Sequence, residues 1–179
     1  EPNHIQVRVQ RFKGTADAGE LADDQAVTVI IRPDIEDRNF HHETKAYAGP
    51  EDHWHSAVTQ IERGFVFAPA HDHCLTMQVD NGHFVIEPEW YYMVRRPLEA
   101  ERGLDPYSDL YGPGYFSSPL AGGASLTLTA RAVSNCEAAP LFPDPEPWIP
   151  QQEDVPVLPA LHAALDQYVV RRGSFRTVI

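Results

Sequence analysis

Hydrophobic and polar residues alternate with a period of two along most of residues 5 to 133. The stretch HIQVRVQRF places Ile5, Val7 and Val9 on one face of a strand, and QAVTVIIRP repeats the pattern with Val27 and Val29. The same alternation returns in four later stretches, at 57–69, 74–80, 83–88 and 125–133. Successive side chains of a β-strand point to opposite faces, so this period predicts a sheet-rich body.

Turn residues separate some of these strands. The Asp-Asn-Gly run at 80–82 predicts a tight hairpin turn, because Asn-Gly tolerates positive φ at both central positions. Gly112-Pro113-Gly114 also predicts a turn rather than a phosphate-binding loop. The polar stretches GTADAGELADDQ and FHHETKAYAGPEDH are too long for simple hairpins, so they predict surface loops.

The pattern changes after the last predicted strand. Residues 139–156 contain six prolines, which predicts an extended and semi-rigid strap. The following VLPALHAALDQYVVRR predicts one amphipathic helix that ends before Gly173. Its apolar face would consist of Leu158, Leu161, Leu165, Tyr168 and Val169. We therefore predict a sheet domain at 1–138 and a Pro-rich linker with one C-terminal α-helix at 139–179.

Composition and charge narrow the classes of partner. The chain has 179 residues, 26 of them acidic and 14 Lys or Arg, and a net charge of −12. Nucleic acid and anionic membrane surfaces both attract clustered Lys and Arg, so neither is expected as a partner. This net charge does not disfavour a neutral ligand such as a sugar. With only two cysteines and no signal-peptide pattern, we expect a cytoplasmic protein.

Histidine pairs raise the question of a metal site. His71 and His73 form a His-x-His pair, which on a strand would point both imidazoles to one face. Further clusters occur at His41–His42 and His53–His55, in predicted polar loops. No remaining ligands follow at the spacing of a metal-binding family, so we predict neither a metal nor a cofactor. A metal-dependent jelly-roll (cupin-like) enzyme that uses His71 and His73 is the alternative.

Catalytic motifs are not recognisable either. Neither cysteine lies in a nucleophile signature, and the sequence has no G-x-S-x-G motif or phosphate loop. Residues 89–116 carry several carboxylates, but carboxylates this close in sequence rarely flank a substrate bond. We expect them to form structural ion pairs with the arginines at 95, 96 and 102. We therefore predict no catalytic residue in this chain.

The same segment, EWYYMVRRPLEAERGLDPYSDLYGPGYF, is rich in Tyr and Trp. Aromatic rings with carboxylates beside them suit sugar binding, because the ring faces are apolar and the carboxylates accept hydrogen bonds from hydroxyls. Packing of these rings against another layer of the protein explains the composition equally well.

Three blocks of sequence, taken in order over residues 27–179, point to one family. The first contains Arg32-Pro33 and Asp37-Arg38-x-x-His41. The second contains Trp90-Tyr91, Glu99-x-x-Arg102-Gly103-Leu104-Asp105 and Asp109-Leu110-Tyr111-x-Pro113-Gly114-x-Phe116, and the third is ALDQYVVRRGSFRTVI. Together they resemble the N-terminal domain of bacterial and archaeal glycogen debranching enzymes (amylo-α-1,6-glucosidases). Ser108 departs from the family pattern, which usually has an acid there.

The resemblance implies an antiparallel β-sandwich of the galactose-mutarotase-like (supersandwich) type. It also implies that the acids that hydrolyse the α-1,6 branch of glycogen or another α-glucan belong to a downstream (α/α)6 catalytic domain. This chain would then be a noncatalytic slice whose sheet edges and apolar face are partly uncovered. Its candidate residues would dock on that domain or line the rim of its glucan cleft, and docking is favoured. They are Trp90, Tyr91, Glu99, Arg102, Asp105, Asp109, Tyr111 and Phe116. A free-standing carbohydrate-binding module is the other alternative.

Overall fold

A computed structural model describes residues 3–14, 21–39 and 42–134, residues 158, 159 and 162, and the backbone of Val169–Arg172 and Phe175–Val178. The chain divides into two compact units, Glu1–Trp148 and Ile149–Ile179. The predicted strap at 139–156 lies outside the described residues.

The described elements are mainly strands. They are β1 (His4–Gln10), β2 (Val27–Ile31), a 3-10 helix (Ala46–Ala48), α1 (Pro50–His53), β3 (Val58–Ile61), β4 (Gly64–Phe67), β5 (His73–Val79), β6 (His83–Arg95), α2 (Pro97–Glu101), β7 (Tyr107–Leu120), β8 (Ser125–Ser134), β9 (Val169–Arg172) and β10 (Phe175–Val178). The first unit contains two antiparallel sheets. One has the order β1-β8-β5-β4-β3 and the other β2-β7-β6.

The two sheets face each other across an aromatic core. Phe65 of β4 lies 4.6 Å from Phe84 of β6 and 6.0 Å from Phe116 of β7, measured between ring centroids. The buried cluster comprises Ile35, Trp54, Phe65, Phe67, Met77, Val79, Phe84, Tyr111, Phe116, Leu120, Leu126 and Leu128. These side chains come from both sheets and from the segments between strands. The predicted mainly β fold with an antiparallel sandwich is therefore confirmed.

The edge strand β1 is only partly covered. Val9 packs against the core, whereas Ile5 and Val7 on the same face are exposed. Ile5 lines an apolar groove of about 330 Å³ together with Leu75, Ala130 and Ala132. One end of the five-stranded sheet therefore presents an apolar face to solvent.

The predicted hairpin at Asp80–Gly82 is wrong. β5 pairs with β4 and β8, while β6 pairs with β7, so these residues carry the chain from one sheet to the other. The side chain of Asp80 accepts a hydrogen bond from the Thr127 amide at 2.9 Å, and Asn81 Nδ2 donates to the Pro119 carbonyl at 3.3 Å. Because the segment bonds to both sheets, it joins the two layers instead of folding one strand back on its neighbour.

Strand β7 contains Gly112-Pro113-Gly114, so the predicted turn there is also wrong. The register between β6 and β7 shifts between Ile86 and Glu89, opposite Pro113, and such a bulge accommodates a residue without an N–H. Gly114 has a φ of 149°, and a Cβ at this position would lie 2.0 Å from the Val85 carbonyl oxygen. The glycine therefore permits close strand pairing.

In the second unit, Leu158, Pro159 and His162 are helical, as predicted. The helix does not reach Arg172, however, because Val169–Arg172 forms β9 and pairs antiparallel with Phe175–Val178. Val169 and Val170 are β-branched, which favours a strand over the last turn of a helix. The other predicted helix positions, 161, 165 and 168, lie outside the described residues.

Candidate functional site

The segment 89–112 forms a two-stranded arm in which β6 and β7 are joined through α2. Glu89 pairs with Gly112 at its base, and Arg95 pairs with Tyr107 near its tip. A second register shift falls between Tyr91 and Val94. The mixture of aromatic and charged residues in this segment is therefore explained by a hairpin that has one side facing the core and the other side facing solvent.

Aromatic rings line the inner side of the arm. Trp90 stacks on buried Trp54 with ring centroids 5.3 Å apart, and it lies 5.0 Å from Tyr111. Tyr92 continues the stack at 6.4 Å from Trp90, and its hydroxyl donates to a carboxylate oxygen of Glu51. The rings attach the arm to the sandwich, as expected if they pack on another layer.

Asp109 holds a bend in the arm at Met93. Its carboxylate accepts hydrogen bonds from the amides of Ala46 and Met93, each at 2.8 Å, and its own amide donates to the Thr44 carbonyl. The residue is 4% exposed. Met93 has a φ of 55°, in the left-handed region that non-glycine residues rarely adopt. Asp109 thus supports a strained bend that turns the Met93 side chain outward.

A second, partly buried anchor joins the arm to the segment after β2. Ser108 Oγ donates to Glu36 Oε1 at 2.8 Å, and Arg96 Nη2 donates to Glu36 Oε2 at 2.7 Å. Sequence reasoning missed Glu36 because it assigned the partners of Arg96 to acids within the arm. Of those predicted pairs, Arg102 with Glu99 does form, at 3.5 Å. The unusual Ser108 is fully buried and is part of this anchor.

The predicted site residues fall into three groups by exposure. Asp109, Tyr111 and Phe116 are buried, so their side chains pack within this domain. Trp90 and Glu99 are half-buried. Tyr91, Arg102 and Asp105 are exposed. Lys45 Nζ donates to Asp105 at 2.9 Å, and this hydrogen bond holds the pKa of the Asp105 carboxyl below its usual value.

The tip of the arm is apolar and exposed, which sequence reasoning did not predict. Met93 is 61% exposed, Leu98 is 65% exposed and Leu104 is 49% exposed. Tyr92, at the outer end of the Trp90 stack, is also partly exposed. The signal was present in the sequence as isolated apolar residues among charges, but only the bends of the arm show that they face solvent.

The face of the three-stranded sheet that points away from the aromatic core is polar and aromatic. The Arg32 guanidinium carbon lies 4.9 Å from the centroid of the Tyr115 ring, and Arg32 Nη2 donates to Glu87 Oε1 at 2.7 Å. Nearby, the Tyr91 hydroxyl donates to Glu89 Oε2 at 2.8 Å. We call this set the outer face; it consists of Arg32, Asp34, Glu87, Glu89, Tyr91 and Tyr115.

The His-x-His pair does not form a metal centre with the residues that are described. No group of three or more His, Cys, Asp or Glu side chains suited to a metal occurs among them, and His41 lies outside them. His73 instead contacts two carboxylates, with Nε2 2.9 Å from Asp37 Oδ2 and Nδ1 2.7 Å from Asp72 Oδ1. The contact to Asp37 raises the pKa of His73, with Asp72 adding to it, against the lowering effect of partial burial.

This cluster predicts a pH-dependent stability. Because the folded-state pKa of His73 lies above the unfolded value of about 6.5, its contribution is complete below pH 6.5 and is lost as pH rises through the folded value. We expect Asp37→Asn to lower the free energy of unfolding at pH 6, with the deficit disappearing toward pH 9. Urea denaturation across this range measures it. Asp24→Asn, at an exposed position, is the control, and a deficit that is constant with pH would contradict the assignment.

No helix among the described residues is long and apolar enough to cross a membrane. No curated protein and no solved structure matches the chain. A sequence model of one family, described as glycogen debranching enzyme N terminal, matches residues 5–127. That range includes all but the first residue of β1, all of β2 to β7 with the arm, and the first residues of β8. More than half of the chain is matched, which confirms the resemblance: the protein belongs to the glycogen debranching enzyme N-terminal family.

Proposed function

We propose that this chain is the noncatalytic β-sandwich portion of a cytoplasmic α-glucan debranching enzyme with α-1,6-glucosidase activity. In this role it docks on an (α/α)6 catalytic domain of the same polypeptide and shapes the entrance to its cleft. The family assignment over residues 5–127 supports the place of the domain in such an enzyme.

The exposed apolar tip of the arm is the observation that carries the docking role. Met93, Leu98 and Leu104 present large apolar side chains to solvent. Apolar and aromatic residues concentrate in the buried centres of protein interfaces. Polar neighbours of the tip, such as Arg102 and Asp105, suit the rim of that interface.

Rigidity of the arm supports the same role. The Asp109 and Glu36 anchors tie the arm to the segments that contain Ala46 and Glu36 through hydrogen bonds of 2.7 to 2.8 Å. Asp109 also joins the two strands of the arm through the Met93 amide at 2.8 Å. A surface held in its bound conformation loses less entropy on association than a mobile one. The arm is therefore suited to position a neighbouring domain.

The arm carboxylates do not suggest a hydrolytic pair. Asp109 is buried and bonded to amides, Asp105 is paired with Lys45, and Glu99 is paired with Arg102. A glycosidase needs one carboxyl to donate a proton to the leaving group and another to act as base or nucleophile across the scissile bond. We assign hydrolysis to the catalytic domain, and α-1,6-glucosidase turnover by the isolated 179-residue chain would contradict the proposal.

Association between separately produced domains tests the docking role. The 179-residue chain and the catalytic domain encoded downstream of it would be mixed and analysed by calorimetry. We expect Leu98→Ser combined with Leu104→Ser to weaken association at least tenfold, because each leucine loses an apolar contact when it becomes polar.

Leu21→Ser is the matched control, since Leu21 is an exposed leucine outside the arm. It should leave the affinity unchanged. Equal affinity of the wild type and the double arm variant would show that the tip is not the docking surface. Circular dichroism would confirm that both variants keep the β fold.

A further inference from the structure

The outer face provides the mixture of groups that binds sugars. Tyr91 is 36% exposed, and a Cβ at Gly112 would lie only 3.5 Å from Cε2 of its ring. One side of the ring therefore lies against the backbone of β7, which leaves the remainder accessible to a ligand. The hydrogen bond from its hydroxyl to Glu89 fixes the ring from the other end.

The charged groups around this ring are accessible. The Arg32 side chain is 43% exposed and the Glu87 side chain is 54% exposed, although the two are bonded to each other. Asp34 Oδ1 lies 3.6 Å from the Cβ position at Gly112, so a third carboxylate borders the Tyr91 ring. The face thus offers an apolar ring, hydrogen-bond acceptors and one guanidinium donor within a small area.

We propose that the outer face binds a neutral oligosaccharide, with the Tyr91 ring stacking on the C–H face of a pyranose. Glu87, Glu89 and Asp34 accept hydrogen bonds from sugar hydroxyls, and Arg32 donates one. The identification of the ligand as an α-glucan chain rests on the proposed function, whereas the sugar chemistry rests on the residues of this face.

Charge excludes the competing small ligands. Three carboxylates and one guanidinium make the outer face acidic, and the chain carries a net charge of −12, so phosphates and anionic polysaccharides are repelled. A neutral polyol experiences no such repulsion. Ring stacking with flanking acceptors and donors is the combination that small polar ligands of this kind require.

Titration of the complete 179-residue chain with maltoheptaose tests the proposal. We expect measurable binding, and we expect Tyr91→Ala to reduce the affinity about three- to tenfold, since an aromatic stacking contact has this magnitude. Tyr91→Phe keeps the ring and should retain most of the affinity. Tyr47→Ala is the matched control, because Tyr47 is an exposed tyrosine outside the outer face, and it should change nothing.

Three outcomes would overturn the proposal. They are no binding of maltoheptaose by the wild-type chain, an equal loss in the Tyr91→Ala and Tyr47→Ala variants, or a Tyr91→Ala variant that binds maltoheptaose normally but associates poorly with the catalytic domain. The last result would make the outer face an interdomain surface. Docking is measured without sugar through Leu98 and Leu104, so a chain that docks but binds no saccharide overturns this proposal alone.

Discussion

Replacing Phe65 with alanine will lower the free energy of unfolding by about 3–5 kcal/mol. Phe65 is fully buried between the sheets and contacts Phe84 and Phe116, one from each of two strands in the opposite sheet. Truncation removes the transfer free energy of the ring and leaves a cavity that two rigid sheets cannot close. Because domains of this size are stable by only about 5–15 kcal/mol, the variant will unfold at a much lower urea concentration.

Phe12 provides the matched control for this experiment. It is 79% exposed, so Phe12→Ala removes the same atoms from a position where water already contacts the ring. We expect its unfolding free energy to stay within about 0.5 kcal/mol of the wild type. If Phe65→Ala and Phe12→Ala had similar effects, the two sheets would not be held together by the aromatic core described above.

Strands could be predicted from the sequence where one face stays buried and the other stays exposed along the whole strand. In β2, apolar residues alternate with exposed polar or apolar ones, and Val27, Val29 and Ile31 do pack against the core. β7 could not be found in this way, because only its pairing with β6 makes room for Gly112, Pro113 and Gly114 inside a strand. The strand conformation of these residues depends on contacts between residues distant in sequence, and a local pattern carries no information about such contacts.

The candidate site was likewise predictable from the sequence only in part. The sequence identified an unusual aromatic and charged segment, and the structure shows that it forms a two-stranded arm. Its composition could not separate inward from outward side chains, because the two register shifts change which face each residue occupies. Tyr111 and Trp90 therefore pack inward, while Tyr91 and Met93 are exposed. The partner of Arg96, Glu36, lies 60 residues away and follows from the fold alone.

The arm also makes Asp109 the residue whose conservative replacement should have the largest effect outside the aromatic core. In Asp109→Asn, one oxygen can still accept from an amide, but the new NH2 group faces the second amide donor. One of the bonds to Ala46 and Met93 is therefore lost, and a buried donor is left without an acceptor. We expect the free energy of unfolding to fall by about 2–3 kcal/mol.

Asp105→Asn is the matched control for this change, because Asp105 has the same side chain but is exposed. Its ion pair with Lys45 is screened by solvent, so the loss of stability should be much smaller than in Asp109→Asn. Hydrogen exchange gives a second readout, since one of the Met93 and Ala46 amides should lose protection in Asp109→Asn, while both should keep it in Asp105→Asn. If both amides stayed protected, the carboxylate would not be their acceptor. Asp109→Asn should also weaken association with the catalytic domain, because the bend that exposes Met93 is then no longer held in place.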